Sequence, residues 1–171
     1  MARHWLTNYL TEHYSLNKQL GLDLGCGLRL YDKFFKCKHI GIDIPSEKFL
    51  NSKSPDIFSS GIALPFNNDS FDLITCYSVV PYVEKIDDFF NEIFRVTKSK
   101  GIIVIIIMNL RGLALDPNGY YPNRYDSKKL HEKLTQHNFK SVKSKNIKAL
   151  FYSTYYDLTS VYSYAIVTPK K

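Results

Sequence analysis

Short apolar runs alternate with amphipathic stretches along most of the chain. This alternation predicts strand–helix–strand units around a mainly parallel sheet. The clearest strand spans residues 102–108, a run of apolar and mostly β-branched side chains that indicates burial on both faces. The clearest helix spans residues 87–97, where Phe89, Phe90 and Ile93 follow a core-facing pattern. We therefore expect an α/β fold.

The same patterns place the remaining elements. Helices are predicted over residues 3–16, within an N-terminal segment 1–18, and over residues 28–36 and 127–137, with a short helix capped by Ser46. Strands are predicted over residues 21–24, 39–44, 56–58, 71–77, 141–147 and 160–168. Lys100-Gly101 is expected to end the helix that precedes the strand 102–108.

Residues 109–125 form a long connection that carries Gly, Pro, Asn and Tyr. Long loops within compact domains often act as functional lids. We therefore expect this segment to cover a substrate site. Its candidate substrate-contacting side chains are Arg111, Tyr120, Tyr121, Arg124 and Tyr125.

The composition mainly excludes several classes of protein and site. The chain has 171 residues, of which 44% are hydrophobic and 23% charged, as expected for one folded domain over residues 1–171. Its longest apolar run has seven residues, whereas a membrane-spanning helix needs about 20. The start shows no secretion signal, and three widely spaced cysteines indicate a reducing compartment, so we expect a cytoplasmic location. The five histidines show no metal-ligand spacing, and no metal site is expected.

The net charge of +7 is unevenly distributed along the chain. Residues 1–123 hold 13 basic and 13 acidic side chains, whereas residues 124–171 hold ten basic and three acidic ones. A basic surface attracts polyanions, so this last third is a candidate contact surface for them. The alternative is a solvated, lysine-rich surface that aids solubility.

The segment Leu22-Asp-Leu-Gly-Cys-Gly27 carries the most specific chemical signal. It lies where an apolar strand turns sharply, and its glycines leave no side chain between the backbone and a ligand. The segment opens the helix predicted over residues 28–36, so a ligand is expected to meet exposed amide groups at the N-terminus of that helix. The next strand ends in Gly41-Ile-Asp43, where an acidic residue can accept hydrogen bonds from both ribose hydroxyls. Together the two features predict an adenosine-containing cofactor at the carboxyl ends of the strands.

Two details favour S-adenosylmethionine over a dinucleotide. A dinucleotide fingerprint has a third glycine three residues after the second, and that position is Leu30 here. Asp23 adds a carboxylate beside the turn, which would repel a pyrophosphate but would suit a cationic ammonium group.

The chain resembles the class I S-adenosylmethionine-dependent methyltransferases in five ordered segments. These are Asp23-Leu-Gly-Cys-Gly27, Ile40-Gly-Ile-Asp43, Ala63-Leu-Pro-Phe66, Ser70-Phe-Asp-Leu-Ile74 and the stretch from Asn91 to Gly101. The resemblance implies a Rossmann-like, doubly wound fold, with one mostly parallel seven-stranded sheet and helices on both faces. It also implies methyl transfer from S-adenosylmethionine to an acceptor by in-line displacement.

The resemblance further implies roles for the residues that match. Asp23 and the glycine turn would face the methionine part of the cofactor, Asp43 would hold the ribose, and Ile44 would pack on the adenine. Tyr77, which leaves the fourth strand, would lie near the methyl group. In chain order, the expected cofactor contacts are Asp23, Gly25, Cys26, Gly27, Asp43, Ile44, Gly61, Ile62 and Tyr77.

Two positions depart from the family pattern. Ser60 stands where members often carry an acidic residue near the adenine amino group, so backbone and apolar contacts from its neighbours are expected instead. Residues 78–83 also lack a histidine that many members use as a base. No strong base is therefore predicted, and alignment of the acceptor with the methyl group is expected to supply most of the catalysis. The candidate catalytic side chains are Tyr77, Tyr82 and Tyr120.

Three functions stay open at this point. The first is methyl transfer to a small or medium-sized acceptor that enters past residues 109–125. The second is methylation of a nucleic acid or protein that binds the basic last third, where Phe151, Tyr152, Tyr155 and Tyr156 could stack on bases. The third is a non-catalytic cofactor-binding or partner subunit. Neither the acceptor atom nor the oligomeric state is indicated by the residues.

Overall fold

One twisted sheet organises the molecule. A computed structural model describes the backbone of residues 2–114, 118–147 and 162–171, with the side chains of residues 5–110, 113–114, 118–140 and 163–171. The described strands are β1 Leu20–Leu24, β2 Lys38–Asp43, β3 Ile57–Phe58, β4 Phe71–Tyr77, β5 Thr97–Met108, β6 Phe139–Ile147 and β7 Tyr162–Pro169. They lie in the order β3-β2-β1-β4-β5-β7-β6.

The pairing of these strands confirms the predicted mostly parallel, seven-stranded sheet. Strands β1 to β5 pair in parallel, and β7 runs antiparallel to both β5 and β6. Consecutive residues of β5 enter opposite cores, because Ile103 and Ile105 belong to one buried cluster and Val104 and Ile106 to the other. Burial of this strand on both faces is therefore confirmed.

Helices cover both faces of the sheet, as expected. The described α-helices are α1 Ala2–Ser15, α2 Ile86–Val96, α3 Leu110–Leu113 and α4 Ser127–Gln136. Phe89 and Ile93 of α2 and Leu130 of α4 are fully buried in one core cluster. Leu10 of α1 packs in the other cluster, on the opposite face, with Leu73 of β4. None of the helices in the described ranges has the length and apolar character that crossing a membrane requires.

The N-terminal helix packs on the sheet through small polar side chains. Thr7, Thr11 and Ser15 are fully buried on α1, together with Leu10. The Thr11 hydroxyl forms a 2.9 Å hydrogen bond with the hydroxyl of Tyr77, at the end of β4. Because two threonines and a serine bring the helix backbone close to the strands, α1 lies directly against the end of the sheet where β4 terminates.

The helix predicted over residues 28–36 is wrong. Between β1 and β2 the chain makes successive turns and one 3-10 turn, Asp32–Phe34. Arg29 has a φ of +59°, a left-handed conformation that an α-helix cannot contain. Its guanidinium holds the connection, with Nε 2.7 Å from Asp32 Oδ2 and Nη1 2.5 Å from Asp56 Oδ2. An ion-paired turn therefore replaces the expected helix.

Two further boundaries differ from the prediction. Helix α2 ends at Val96, because Thr97 already has the extended backbone of β5 (φ −81°, ψ 131°). Lys100-Gly101 therefore lies within β5, beside an irregularity in its pairing with β4, and does not end the helix. The short helix after Ser46 is a 3-10 turn, Glu47–Phe49, and the Ser46 hydroxyl makes no capping hydrogen bond.

The ion-paired turn gives a test of the fold. Replacement of Arg29 by Ala leaves the carboxylates of Asp32 and Asp56 without their shared cation, and the Arg29 side chain is only 13% exposed. We expect the free energy of unfolding in urea to fall by about 2 kcal/mol. Lys36→Ala is the matched control, because Lys36 pairs with Glu12 where both side chains are about half exposed. That control should change stability by less than about 0.5 kcal/mol, and an equal effect of both changes would contradict the assigned role of Arg29.

Candidate functional site

A cavity of about 700 Å³ opens at the carboxyl ends of β1, β2 and β4. Leu24, Asp43 and Tyr77, the last residues of these three strands, all line it. The remaining lining residues come from β2, from the loops that follow the strands and from α2. They are Gly25, Gly27, Ile42, Ile44, Ser46, Lys48, Ser59, Ser60, Gly61, Ile62, Ser78, Val79, Tyr82, Val83, Glu84, Lys85 and Phe89. The carboxyl edge of a parallel sheet is the usual position of a ligand site in such folds.

The glycine turn after β1 forms part of the cavity wall. Gly25 and Gly27 have φ values of +76° and +55°, a region that other residues seldom adopt. A Cβ atom at Gly25 would collide with the Val79 side chain, whereas a Cβ atom at Gly27 would project into open space. Gly25 is therefore required by packing, and Gly27 leaves room that a ligand can occupy.

The amides of this turn are already bound by β2. Gly25 N and Cys26 N both donate to the carbonyl oxygen of Ile42, at 2.9 and 3.0 Å, and Gly27 N donates to Asp43 Oδ2 at 2.9 Å. The expectation of free amides at a helix N-terminus is therefore wrong, since the helix is absent and β2 accepts all three bonds. The turn is held rigidly in place before any ligand arrives.

Asp43 lies at the centre of this arrangement. Its Oδ2 accepts hydrogen bonds from Gly27 N and from Lys48 Nζ (3.2 Å), and its Oδ1 accepts one from Ile44 N (2.8 Å). The carboxylate has room for further hydrogen bonds, because an ionised carboxylate has about four acceptor sites. Three of these sites are occupied, so Asp43 can fix the turn and accept one ligand hydroxyl, and a second hydroxyl would have to displace the exposed Lys48 ammonium.

Asp23 is 1% exposed and is not among the lining residues, although the next residue, Leu24, is one of them. Its Oδ1 accepts a 2.7 Å hydrogen bond from Thr75 Oγ1, while its Oδ2 has no hydrogen-bond partner among the described residues. Burial raises the pKa of the Asp23 carboxyl from 3.8 to about 6. A buried carboxylate oxygen without a partner destabilises the ligand-free protein, and a cation bound nearby would relieve that cost.

The other predicted cofactor contacts divide into two groups. Gly61 and Ile62 line the cavity beside Ile44. Cys26 is buried, its thiol faces Gly41 of β2, and it is not among the lining residues. Burial raises the pKa of the Cys26 thiol to about 12, so it stays protonated and unreactive at neutral pH.

The tyrosine candidates have different environments. Tyr77 lines the cavity, but its hydroxyl is bonded to Thr11 on α1. Burial raises the pKa of Tyr77 far above its usual value of 10, which disfavours a role as a base. Tyr82 lines the cavity and is 55% exposed, so its ring stands at the entrance. Tyr120 is mostly exposed and is not a lining residue.

The connection after β5 contacts the cavity wall from outside. The Tyr121 ring is buried against Tyr82, with centroids 5.4 Å apart, and Tyr125 donates a hydrogen bond to Asn123 Oδ1. Neither these two tyrosines nor Arg124 is among the residues that line the cavity. The side chain of Arg111 lies outside the described ones, and residues 115–117 lie outside the described backbone.

Asn123 is a structural residue that sequence reasoning missed. It is 9% exposed. Its backbone N donates to Pro81 O at 3.3 Å, and its side-chain amide donates to Val83 O. These bonds attach the connection after β5 to residues 80–83 of the cavity wall. An asparagine among turn residues carries no sequence signal for such a contact, because the partner atoms lie about 40 positions away.

No group of three or more metal-binding side chains occurs within the described residues. The cavity polar groups are two carboxylates, Asp43 and Glu84, two lysines, Lys48 and Lys85, and several hydroxyls. Because apolar side chains such as Ile44 and Ile62 line the same cavity, the site suits an organic ligand that combines a polar part with a flat aromatic ring, as a nucleoside does.

Comparison with known protein families identifies the chain. Residues 22–105 match the family model described as a methyltransferase domain. Two curated relatives come from Methanocaldococcus jannaschii. Uncharacterized protein MJ1123 is 30% identical over 146 residues, which cover 77% of this chain and 67% of that protein. Uncharacterized protein MJ0638 is 31% identical over 93 residues, which cover 53% of this chain and 41% of that protein. The chain thus spans well under half the length of one relative and about two thirds of the other.

Solved structures share the fold across nearly the whole chain. A S-adenosylmethionine-dependent methyltransferase from Clostridium acetobutylicum superposes with a TM-score of 0.75 and 14% identity, covering 100% of this chain and 93% of its own. A complex that contains the Haloferax volcanii Trm112 methyltransferase activator gives a TM-score of 0.80 at 14% identity, covering 99% and 90%. Together with the family match, these findings show that the chain belongs to the class I S-adenosylmethionine-dependent methyltransferases.

The buried carboxyl of Asp23 gives a pH-dependent test. Its raised pKa means that ionisation costs native stability as pH rises from about 4 to about 6, and that the cost persists above pH 6. Asp23→Asn removes this ionisation. We expect the stability of the variant relative to the wild type to increase by about 2 kcal/mol between about pH 4 and about pH 7. Urea unfolding at several pH values measures it, and a pH-independent difference would contradict the burial of a charged Asp23.

Proposed function

We propose that this chain transfers the methyl group of S-adenosylmethionine to a small or medium-sized acceptor bound in the same cavity. The observation that carries the proposal is the joint placement of Gly27 and Asp43 at the cavity wall. The chain spans only part of the length of its curated relatives, so the activity of the whole protein is itself part of this proposal.

The residues fit the cofactor by their chemistry. The unpartnered Oδ2 of Asp23 suits a cation such as the ammonium group of the methionine part. The open space beside Gly27 accepts ligand atoms, and Asp43 has about one acceptor site left for a ribose hydroxyl, or two where Lys48 is displaced. Ile44, 57% exposed at the cavity, offers an apolar surface to the adenine.

The polar contact to adenine differs from the family pattern. Ser60 lines the cavity at the position where an acidic residue is common, and its hydroxyl accepts a long hydrogen bond from Ile62 N (3.4 Å). Gly61 lies close to the Phe89 ring, so a larger residue at position 61 would require that ring to move. We infer that adenine selectivity rests on shape and apolar contact more than on a charged hydrogen bond.

Catalysis by positioning agrees with the side chains around the cavity. When bound, S-adenosylmethionine supplies an electrophilic methyl group. Tyr77 is a poor base because its pKa is raised, and no histidine lines the cavity within the described residues. Alignment of two bound reactants can supply on the order of 7–11 kcal/mol without a base. We infer that the wall formed by Ser78, Val79 and Tyr82 aligns the acceptor, and that Glu84 can receive a proton where one must leave.

Contact with a polyanion is a second candidate for the acceptor class. Two lysines of the last third form ion pairs in the structure: Lys133 pairs with Asp87 at 2.5 Å and Lys171 with Asp69 at 2.5 Å. The aromatic residues Phe151, Tyr152, Tyr155 and Tyr156 lie outside the described residues. These ion pairs favour a small acceptor over a nucleic acid.

A cytoplasmic location is supported by three free thiols, at Cys26, Cys37 and Cys76.

Cofactor binding is tested by a pair of matched carboxylate variants. Asp43 and Asp72 each accept hydrogen bonds from a backbone amide and a lysine, but only Asp43 lines the cavity. We expect Asp43→Asn to weaken the binding of S-adenosylhomocysteine at least tenfold in isothermal titration calorimetry, because charge-assisted hydrogen bonds to the ribose are lost. Asp72→Asn should leave that affinity unchanged. Equal affinities of wild type and Asp43→Asn would remove the ribose from this position.

The acceptor class is tested by transfer of a labelled methyl group. The protein is incubated with tritiated S-adenosylmethionine and fractionated cell extract, and label is counted separately in small molecules, protein and nucleic acid. We expect label in the small-molecule fraction. Label only in nucleic acid, with a steep salt dependence, would favour the polyanion alternative. Tight cofactor binding with no label in any fraction would indicate a non-catalytic subunit.

A further inference from the structure

Ser78 is the residue that follows β4, and its environment is unusual in two respects. Its φ is +62°, a left-handed backbone conformation that is strained for a residue with a Cβ atom. Its Oγ is shielded from solvent and has no hydrogen-bond partner among the described residues. Strain and an unpaired buried hydroxyl both cost stability, so a position that combines them beside a cavity points to a binding role.

The backbone around Ser78 is firmly held, so its conformation is imposed by the fold. Ser78 N donates a 2.7 Å hydrogen bond to Ile106 O of β5. The next residue, Val79, packs against Gly25 so closely that a Cβ atom there would not fit. Ser78 therefore stands beside the glycine turn. Rotation about its single χ1 bond can turn the hydroxyl toward the cavity, because no hydrogen bond to a described residue holds it in its present rotamer.

A ligand with an α-amino-acid group would need a hydrogen-bond donor in the cavity. An α-amino acid group carries an ammonium and a carboxylate, and the carboxylate requires donors. The three amides of the glycine turn cannot serve, because Ile42 O and Asp43 accept all of them. Asp23 Oδ2 and Ser78 Oγ are the buried side-chain oxygen atoms left without a partner within the described residues. One is an acceptor with negative charge and the other is a neutral donor.

We propose that the Ser78 hydroxyl binds the carboxylate of the cofactor's amino-acid end. This inference rests on the proposed function, since it assumes that S-adenosylmethionine occupies the cavity. It adds a residue at the end of β4 that selects ligands by their amino-acid end. Tyr77 cannot take this part, because its hydroxyl is bonded to Thr11 on the helix α1.

The test combines two variants with three ligands in isothermal titration calorimetry. Ser78→Ala keeps the Cβ atom and removes the hydroxyl, whereas Ser78→Gly removes the hydroxyl and also relieves the backbone strain. The ligands are S-adenosylhomocysteine, decarboxylated S-adenosylmethionine, which lacks only the carboxylate of the parent cofactor, and 5′-methylthioadenosine, which lacks the amino-acid end. Asn17→Gly is the matched control, because Asn17 has a φ of +59° and is not a lining residue.

We expect both Ser78 variants to bind S-adenosylhomocysteine about tenfold more weakly than the wild type, the size of a hydrogen bond to a charged group. They should bind decarboxylated S-adenosylmethionine and 5′-methylthioadenosine as the wild type does, and Ser78→Gly should melt at a higher temperature than Ser78→Ala. The Asn17→Gly control should bind all three ligands normally.

The contrary outcomes are distinct. Unchanged affinity of Ser78→Ala for S-adenosylhomocysteine would overturn the inference, and so would an equal loss for all three ligands, which would indicate a change in cavity shape. Failure of the wild type to bind S-adenosylhomocysteine would overturn the proposed function, and this inference with it.

Discussion

The site depends on one set of hydrogen bonds, which join the end of β2 to the glycine turn that follows β1. Ile42 O accepts the amides of Gly25 and Cys26, and the Asp43 carboxylate accepts the amide of Gly27. The turn is therefore fixed by the end of the neighbouring strand, and both its glycines keep left-handed backbones at little cost. Because the two strands pair in parallel from Leu20↔Lys38 to Leu24↔Ile42, the turn and the carboxylate arrive at the same edge of the sheet.

These hydrogen bonds explain how the glycine turn is fixed although no helix follows it. The 13-residue connection between β1 and β2, residues 25–37, is held by Arg29 and its two carboxylates. Asp56, one of the two, also accepts a 2.7 Å hydrogen bond from Gly41 N of β2. Arg29, whose backbone is in the left-handed conformation, thus bridges two loops and stabilises this connection in place of a helix. The anion-binding part, a row of free amides, is lost with the helix.

Under the proposed function, the loss of these amides shifts ligand recognition onto side chains. Asp23 is buried with one oxygen unpaired, and Ser78 is held in a strained conformation with its hydroxyl unpaired. Both features lower the stability of the ligand-free protein, and both become favourable when a ligand supplies the missing partners. The chain therefore stores part of its binding free energy in polar groups that the fold leaves unsatisfied.

The predictable and unpredictable parts of the molecule divide along the same line. The apolar run of β5 and the spacing from Gly25 to Asp43 predicted the sheet and the edge of the sheet at which the cavity lies, because burial and strand pairing follow directly from residue type and period. The prediction of a helix over residues 28–36 was wrong because the ion pairs of Arg29 with Asp32 and Asp56 stabilise turns there, and the apolar spacing of the segment does not reveal these pairs. Ser78 carried no signal, as its backbone angle is set by Ile106 and Val79 and not by its own propensity.

The acceptor side of the cavity follows from the same physical argument applied to residues 80–83. This short segment has Pro81 in a 3-10 turn, and the connection after β5 holds it through the two hydrogen bonds of Asn123. Tyr121 then packs on Tyr82 and limits where that exposed ring can lie at the entrance. The connection thus acts on the acceptor through the wall that it supports, although its own tyrosines do not line the cavity. We infer that a change at Asn123 would alter acceptor alignment before it altered cofactor binding, because the amides of the glycine turn are bound by Ile42 and Asp43 of β2 and not by the connection after β5.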